Sequence, residues 1–516
     1  MRNRWTFWPA ALALVVISLI PFFLVDVPAV LDYPNHLARM FVLAHPDDPI
    51  LSRFYAPHWR VLPNLGFDAL GVLMLKVLPV HIGGRILLAT SLVAPMLGVF
   101  AYSRAAFGKL GVWQLAAVLT AFNGIFFLGF MNFLLATGLA FAAAGLWLML
   151  RRQGRDGLCL LFRALASALL FLCHIFGVFL FALLIACQEI ARGHKAESTN
   201  QAPITPRGLL LIVIALLPAI LLYFASPLSD QTADVYGWDG SHKIWTLFTP
   251  FMTYSKVLTL VTGLAVFSAL ILNWRSATFA PGTKLTLILL AVICVAAPVG
   301  LKGGTMIDIR LALMMGLLLF GGVQLNLSAP QEKAMVLAVA ALVVLRSVST
   351  GAGWLDHRND LADLRAAIAS IEPGARVLAA RDKNPQSDAV TPSRNLPDVQ
   401  PLDRDLPALL VIERRAFWPG LFADAAQQPL TVRPPYDGIA QALGDPLHQP
   451  LGDPLQWSWW TAADPARGAQ VPPYQGHWRQ DFDYVLLIDR PPSLRPPQNF
   501  IPIYVGHYAA LWRLAH

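Results

Sequence analysis

Charge is what this chain has least of. Asp, Glu, Lys and Arg make up 14% of its 516 residues, where a soluble globular chain carries about 25%. So few charges cannot cover the surface of a soluble protein of this length, and that class is excluded. Cysteine is scarce as well. The four, Cys159, Cys173, Cys187 and Cys294, lie within or beside hydrophobic runs and none falls in the polar C-terminal stretch, which excludes a disulfide framework and a cysteine-based metal site. No repeat of fixed period and no low-complexity tract is present, so solenoid and linker architectures drop out. The first hydrophobic run, Trp5–Val25, lacks a small-x-small cleavage site and leads instead into Asp26-Val27-Pro28, as a retained membrane span does rather than a signal peptide. The net charge of +8 comes without any nucleic-acid signature, because the basic residues gather between hydrophobic runs. Nucleic acid is not an expected partner.

What is abundant is apolar sequence. Hydrophobic residues reach 56% and the mean hydropathy is +0.55. They fall in uninterrupted runs of the length that crosses ~30 Å of hydrocarbon, ~20 residues at a time. Taken in order, the runs at about 5–25, 86–102, 112–128, 133–150, 158–172, 174–190, 208–225, 257–273, 285–300, 309–327 and 333–350 predict about eleven transmembrane helices. Leu65–Val80 is apolar too, but it is short, bounded by Pro63 and Pro79, and contains Asp68 and Lys76.

The positive-inside rule decides whether that stretch spans. If it does not, the cytoplasmic segments hold twelve Lys and Arg, while the outer connections at 129–132, 173–174, 226–256 and 301–308 hold three, Lys243, Lys256 and Lys302. If it does, every later loop changes sides and the bias is reversed. We therefore read Leu65–Val80 as an interfacial helix within a long first outer loop, 26–85. The expected organisation is a transmembrane domain over 1–350 with a cytoplasmic N-terminus, followed by an extracytoplasmic domain over 351–516.

Beyond residue 352 the chain becomes Pro-rich and polar. Asp356–Ile371 has a helical period, with Leu361, Leu364, Ala367 and Ile368 on one face. Arg376–Ala380, Ala408–Ile412, Tyr484–Ile488 and Ile501–Val505 are apolar runs of strand length. A soluble α/β domain is expected, with 383–405 and 431–480 as long loops.

Polar groups held at membrane level are costly unless they have a use or a partner, and four places stand out on the outer side. In Asp32-Tyr33-Pro34-Asn35-His36-Leu37-Ala38-Arg39, a proline two residues after an aspartate marks a helix start. Asp32, His36 and Arg39 then share a face. Asp32 is either a helix cap or a carboxylate that takes a proton from an acceptor. Asn132 lies in Gly129-Phe130-Met131-Asn132-Phe133, where turn punctuation competes with a binding role. His174 sits at a second junction between runs, where it is either satisfied by a carbonyl or available to a phosphate. Lys302-Gly303-Gly304-Thr305-Met306-Ile307-Asp308-Ile309-Arg310 leads into a span. There Arg310 either pairs with Asp308 or clamps a phosphate bidentately.

A first span followed at once by an acidic residue in a long outer loop, then a multi-span bundle and an outer soluble domain, resembles the GT-C superfamily of membrane glycosyltransferases. The likeness is nearest to bacterial relatives of protein mannosyltransferases and lipid A aminoarabinose transferases. It covers residues 1 to about 350 in architecture, and its short motif is Asp32-Tyr33-Pro34-Asn35-His36. The resemblance implies a bacterial inner-membrane enzyme with Asp32 as general base. It also implies a sugar donor linked to polyprenyl phosphate, a lipid, glycan or protein acceptor, and inversion at the anomeric carbon. His36, Arg39, Asn132, His174, Lys302, Asp308 and Arg310 become candidates for holding substrate or donor phosphate. The family's aspartate is often paired with a second acidic residue, whereas Asp32 has His36, so no metal and no other cofactor is expected. A transporter or lipid flippase is the competing class, but it places ionisable groups near the midplane on broken, repeated helices. A non-catalytic envelope assembly protein is the other.

Overall fold

The structure, a computed structural model, describes residues 7–154, 156–197, 206–231, 235–238, 240–301, 304–381, 396, 402–441, 474, 477–488 and 500–515. It is mostly helical and divides into two compact units. One comprises Met1–Phe23, Val61–Phe67 and Leu87–Thr350, and the other Leu24–Arg60, Asp68–Ile86 and Gly351–His516. The second unit thus takes in most of the first loop as well as everything after residue 350.

In the first unit the apolar runs form helices. Among the described residues, Val80–Phe107, Met131–Arg152 and Ala329–Ala369 are each long and apolar enough to cross a membrane. At 1.5 Å per residue the 22-residue Met131–Arg152 is ~33 Å long. Other apolar helices include Asp156–Cys173, Ile175–Glu197, Pro206–Phe224, Lys256–Leu272, Thr283–Ala296 and Ile307–Gly322. Their outer faces are greasy: on Asp156–Cys173, Leu158, Leu161, Leu165 and Leu169 are 43–63% exposed along one stripe. In water such a stripe would cost several kcal/mol, whereas against lipid tails it costs nothing. The opposite face packs inward, and Ser167 Oγ donates to the carbonyl of Ala215 at 2.9 Å. This is a membrane protein. Leu65–Leu75 has eleven residues, ~16 Å of helix, which is about half of a crossing.

The run at 112–128 is not one helix. It consists of a short helix Val112–Leu115, a 3₁₀ turn Ala116–Thr120 and a second short helix Gly124–Leu128. Asn123 breaks it and then caps the last piece, its Oδ1 accepting from Phe126 N at 3.0 Å. A broken backbone inside a bilayer must be satisfied by protein, and Arg346 does this. Its guanidinium donates to the carbonyls of Phe122 and Phe251, the latter at 2.7 Å. Gln114 closes the other end by donating to the carbonyls of Phe320 and Val323.

In the second unit a four-stranded sheet runs in the order Val377–Arg381, Tyr484–Ile488, Ala509–Leu514, Phe500–Val505. Its first pair is parallel, with Val377 opposite Tyr484, and the rest is antiparallel. The expected helix at 356–371 is the end of the continuous helix Ala329–Ala369. Leu364, Ala367 and Ile368 on its predicted face are fully buried. The expected strand at Ala408–Ile412 is a 3₁₀ turn Leu406–Ala408 followed by helix Leu409–Arg414. A short run buried on every side has no period to separate strand from helix, and Pro407 in the first turn favours the helix. Tyr55–Pro57 of the first loop pairs antiparallel with Leu430–Val432.

A further tie is Asp363, near the end of the long helix. It accepts from Tyr504 OH at 2.6 Å and from the amides of Tyr508 and Ala509 at 2.8 Å. Burial works to raise its pKa, but these donors and the nearby His507 outweigh it and hold the carboxyl below its ordinary value. A depressed value in the folded state contributes stability above the unfolded pKa, which is lost as pH falls through the folded one. Asp363→Asn should therefore lower the thermal midpoint at neutral pH, with the gap to wild type closing on acidification below 3.8. Arg346→Leu orphans two buried carbonyls, each worth ~1–3 kcal/mol. It should depress the unfolding midpoint in detergent far more than Leu337→Ala, whose side chain on the same helix is 61% exposed.

Candidate functional sites in the two units

In the second unit, helix Tyr33–Ala44 begins at Asp32, with Pro34 in its first turn. The aspartate does not cap: its side chain makes no bond to the helix amides. It accepts instead from Arg404 Nη2 at 2.8 Å through Oδ1. Arg404 simultaneously holds Asp405, Nη2 lying 2.7 Å and Nε 3.2 Å from Oδ2. Asn35, fully buried one helical turn after Asp32, donates to the other oxygen of Asp405 at 3.1 Å and to the carbonyl of Gly420 at 2.8 Å. Its own carbonyl oxygen accepts from Phe422 N at 2.7 Å. Asp32 thus stands in a network of charge-assisted bonds reaching the C-terminal third of the sequence.

The two other residues expected beside Asp32 have different surroundings. Arg39 is 2% exposed and forks onto Asp68, with Nε donating to Oδ1 at 2.9 Å and Nη2 to Oδ2 at 3.1 Å. It acts as a structural ion pair between two helices. His36 lies edge-on to Phe422 at 5.4 Å. Burial, reinforced by the charge of Arg39, pushes its pKa well below the ordinary 6.5, so it is a neutral imidazole at physiological pH.

In the first unit, helix Ile307–Gly322 opens at Met306, which has a left-handed backbone, φ 52°. Asp308 and Arg310 share its first turn but do not pair with each other as the sequence allowed. Asp308 accepts from Lys243 Nζ at 2.8 Å, and Lys243 also donates to the carbonyl of Ala297 at 2.7 Å. The Arg310 guanidinium lies over the ring of Phe130 at 4.2 Å, with Phe133 and Phe176 at 5.5 and 5.7 Å. Nη2 donates to the carbonyl of Thr305 at 3.2 Å. Nη1 is 3.0 Å from His174 Nε2.

His174 is the single residue between helices Asp156–Cys173 and Ile175–Glu197. Its Nδ1 lies 3.1 Å from the amide of Phe176. A neutral imidazole has one ring lone pair to offer, and here two donors ask for it. The tautomer decides which is served: the Phe176 amide at Nδ1 or the guanidinium at Nε2. Asn132 is used differently. Its Oδ1 accepts from Phe67 N at 3.1 Å, capping helix Leu65–Leu75. Lys302 lies outside the described residues.

The structure therefore brings Arg310 and His174 together, assigns Asp308, Arg39 and Asn132 visible structural partners, and gives Asp32 the partner Arg404. Sequence reasoning missed Arg404 inside the expected loop 383–405. The only local signal was the alternation Asp403-Arg404-Asp405 flanked by Leu402 and Leu406, which is unusual for a solvated loop. Among the described residues, no three His, Cys, Asp or Glu side chains converge as a metal-binding group.

Compared with known proteins, the chain matches no family model and no curated protein. It is similar to the crystal structure of ArnT from Cupriavidus metallidurans bound to undecaprenyl phosphate, with a TM-score of 0.49 and 11% identity, over 97% of this chain and 97% of that one.

Because Asp308 is fully buried, removing its partner strands a charge. Lys243→Met should cost about 3–5 kcal/mol in a denaturation measurement on detergent-solubilised protein. Lys243→Met combined with Asp308→Leu should recover much of that loss.

Proposed function

We propose that this chain is a membrane glycosyltransferase. It moves a sugar from a polyprenyl-phosphate donor to a lipid, glycan or protein acceptor on the non-cytoplasmic side of a bacterial inner membrane. The N-terminus is cytoplasmic and the domain after residue 350 extracytoplasmic. The observation that carries the proposal is the meeting of Arg310 Nη1 and the His174 ring at 3.0 Å, two donors suited to one phosphate oxygen. Lys243 already neutralises Asp308, so the carboxylate nearest in sequence does not compete for the guanidinium. Phe130, Phe133 and Phe176 surround the cation with apolar rings. Low local polarity strengthens its hold on an anion, and the greasy surroundings suit a prenyl chain.

In the reaction, Arg310 and His174 bind the donor phosphate and stabilise the charge that collects on it as the bond to the anomeric carbon breaks. Asp32, in the other unit, is read as the base: it accepts the proton of the incoming hydroxyl or amine as that atom bonds to the anomeric carbon, with inversion of configuration. A carboxylate paired with Arg404 is a weak base. It suffices if the proton moves late, because the nucleophile becomes strongly acidic as its new bond forms.

Two measurements test the two halves separately. In titrations of purified protein with a polyprenyl monophosphate, Arg310→Ala should weaken binding by more than about tenfold and Arg310→Lys by less. Asp32→Asn should bind the lipid as wild type does. In cells lacking the native gene, Asp32→Asn at normal membrane abundance should fail to restore the envelope glycan or lipid profile. A normal profile with that variant would mean that the protein is a carrier or an assembly factor.

A further inference from the structure

We infer that Arg404 is the positioning residue for Asp32, fixing its orientation and keeping it ionised. The inference rests on the reading of Asp32 as the base. It starts from an asymmetry in who holds whom. Asp32 makes no bond to the amides of its own helix, so the helix leaves its rotamer open. Arg404, in contrast, belongs to a triplet anchored on both sides. Before it, Asp403 is fully buried and accepts from Tyr508 OH at 2.9 Å. After it, Asp405 is 1% exposed, accepts from Asn35 Nδ2 at 3.1 Å and holds Arg404 through both Nε and Nη2. The guanidinium would therefore keep its place without Asp32, and it offers Asp32 Oδ1 a donor already fixed in position.

The spacing makes the arrangement a clamp. Asp32 and Asn35 are one turn apart on one helix, and Arg404 and Asp405 are consecutive on the segment that reads them, one contact each. A planar guanidinium gripped by a buried carboxylate presents its remaining edge in a fixed direction, which a lysine ammonium cannot do as well. A nearby cation also favours the charged form of a carboxylate. Asp32 consequently meets an acceptor already deprotonated, with Oδ1 pinned.

The test uses the full-length chain in detergent and does not depend on turnover. A water-soluble carbodiimide with glycine ethyl ester couples to accessible protonated carboxyls. Mass spectrometry then gives the modified fraction of the Asp32 peptide relative to that of exposed Asp437. At about pH 6, Arg404→Gln should raise Asp32 modification by at least about threefold over wild type. Arg404→Lys should return most of the protection, and Asp405→Asn, which keeps the arginine but loosens its grip, should give an intermediate value. Equal Asp32 modification in wild type and Arg404→Gln overturns the inference, as does a lysine variant no better protected than the glutamine one. If Arg404→Gln fails to fold, wild-type protection in Asp405→Asn overturns it. These outcomes leave the transferase reading standing. That reading falls instead if Asp32→Asn cells show a normal envelope profile, whatever the labelling shows.

Discussion

A cation in a low-dielectric interior has to be met by groups that accept from it, and the ways in which three buried arginines, Arg39, Arg346 and Arg310, meet this demand organise much of the protein. Arg39 takes a carboxylate and so joins two helices of the first loop. Arg346 takes two backbone carbonyls, and the broken run at 112–128 depends on it. Arg310 leans on an imidazole, a carbonyl and aromatic faces. Fork pairing and carbonyl capping are complete arrangements. At Arg310 the facing ring nitrogen belongs to an imidazole that also meets the Phe176 amide, so the lone pair of a neutral ring is asked for by two donors.

Much of the helical unit was legible because apolar runs of about 20 residues have few alternatives. The break at Asn123 was not, since one polar residue in a long apolar run looks like a tolerated defect until its cap and its arginine are seen. In the second unit the helical face at Leu364, Ala367 and Ile368 followed from a period of 3.6. The helix at 409–414 did not, because complete burial erases periodicity. Ala509–Leu514 was overlooked as well: its two alanines weaken the strand signal, and its identity depends on lying between two partners in the sheet.

The same division runs through the candidate sites. Asp32 could be located from a proline two residues on, which is local information. Its partner lies 372 residues away, and nothing in one sequence without relatives links the two positions. His174 and Arg310 were singled out separately for being polar at span ends, but their meeting across 136 residues belongs to the packing of helices. Residue types were readable, and pairings were not.

The ties between the first loop and the end of the chain also impose an order in time. Asp26 reaches Arg365, Asp32 reaches Arg404, Asn35 reaches Asp405, and Tyr55 sits opposite Val432. At a translation rate of roughly 5–20 residues per second, the loop waits roughly 20–70 s after its own synthesis for these partners to emerge. During that interval its carboxylates and strand edge have to be kept by water or by a chaperone. Helices of the first unit can pack as they are made, while the second unit closes only when the last part of the chain arrives, so the residue read as the base acquires its setting at the end of biogenesis.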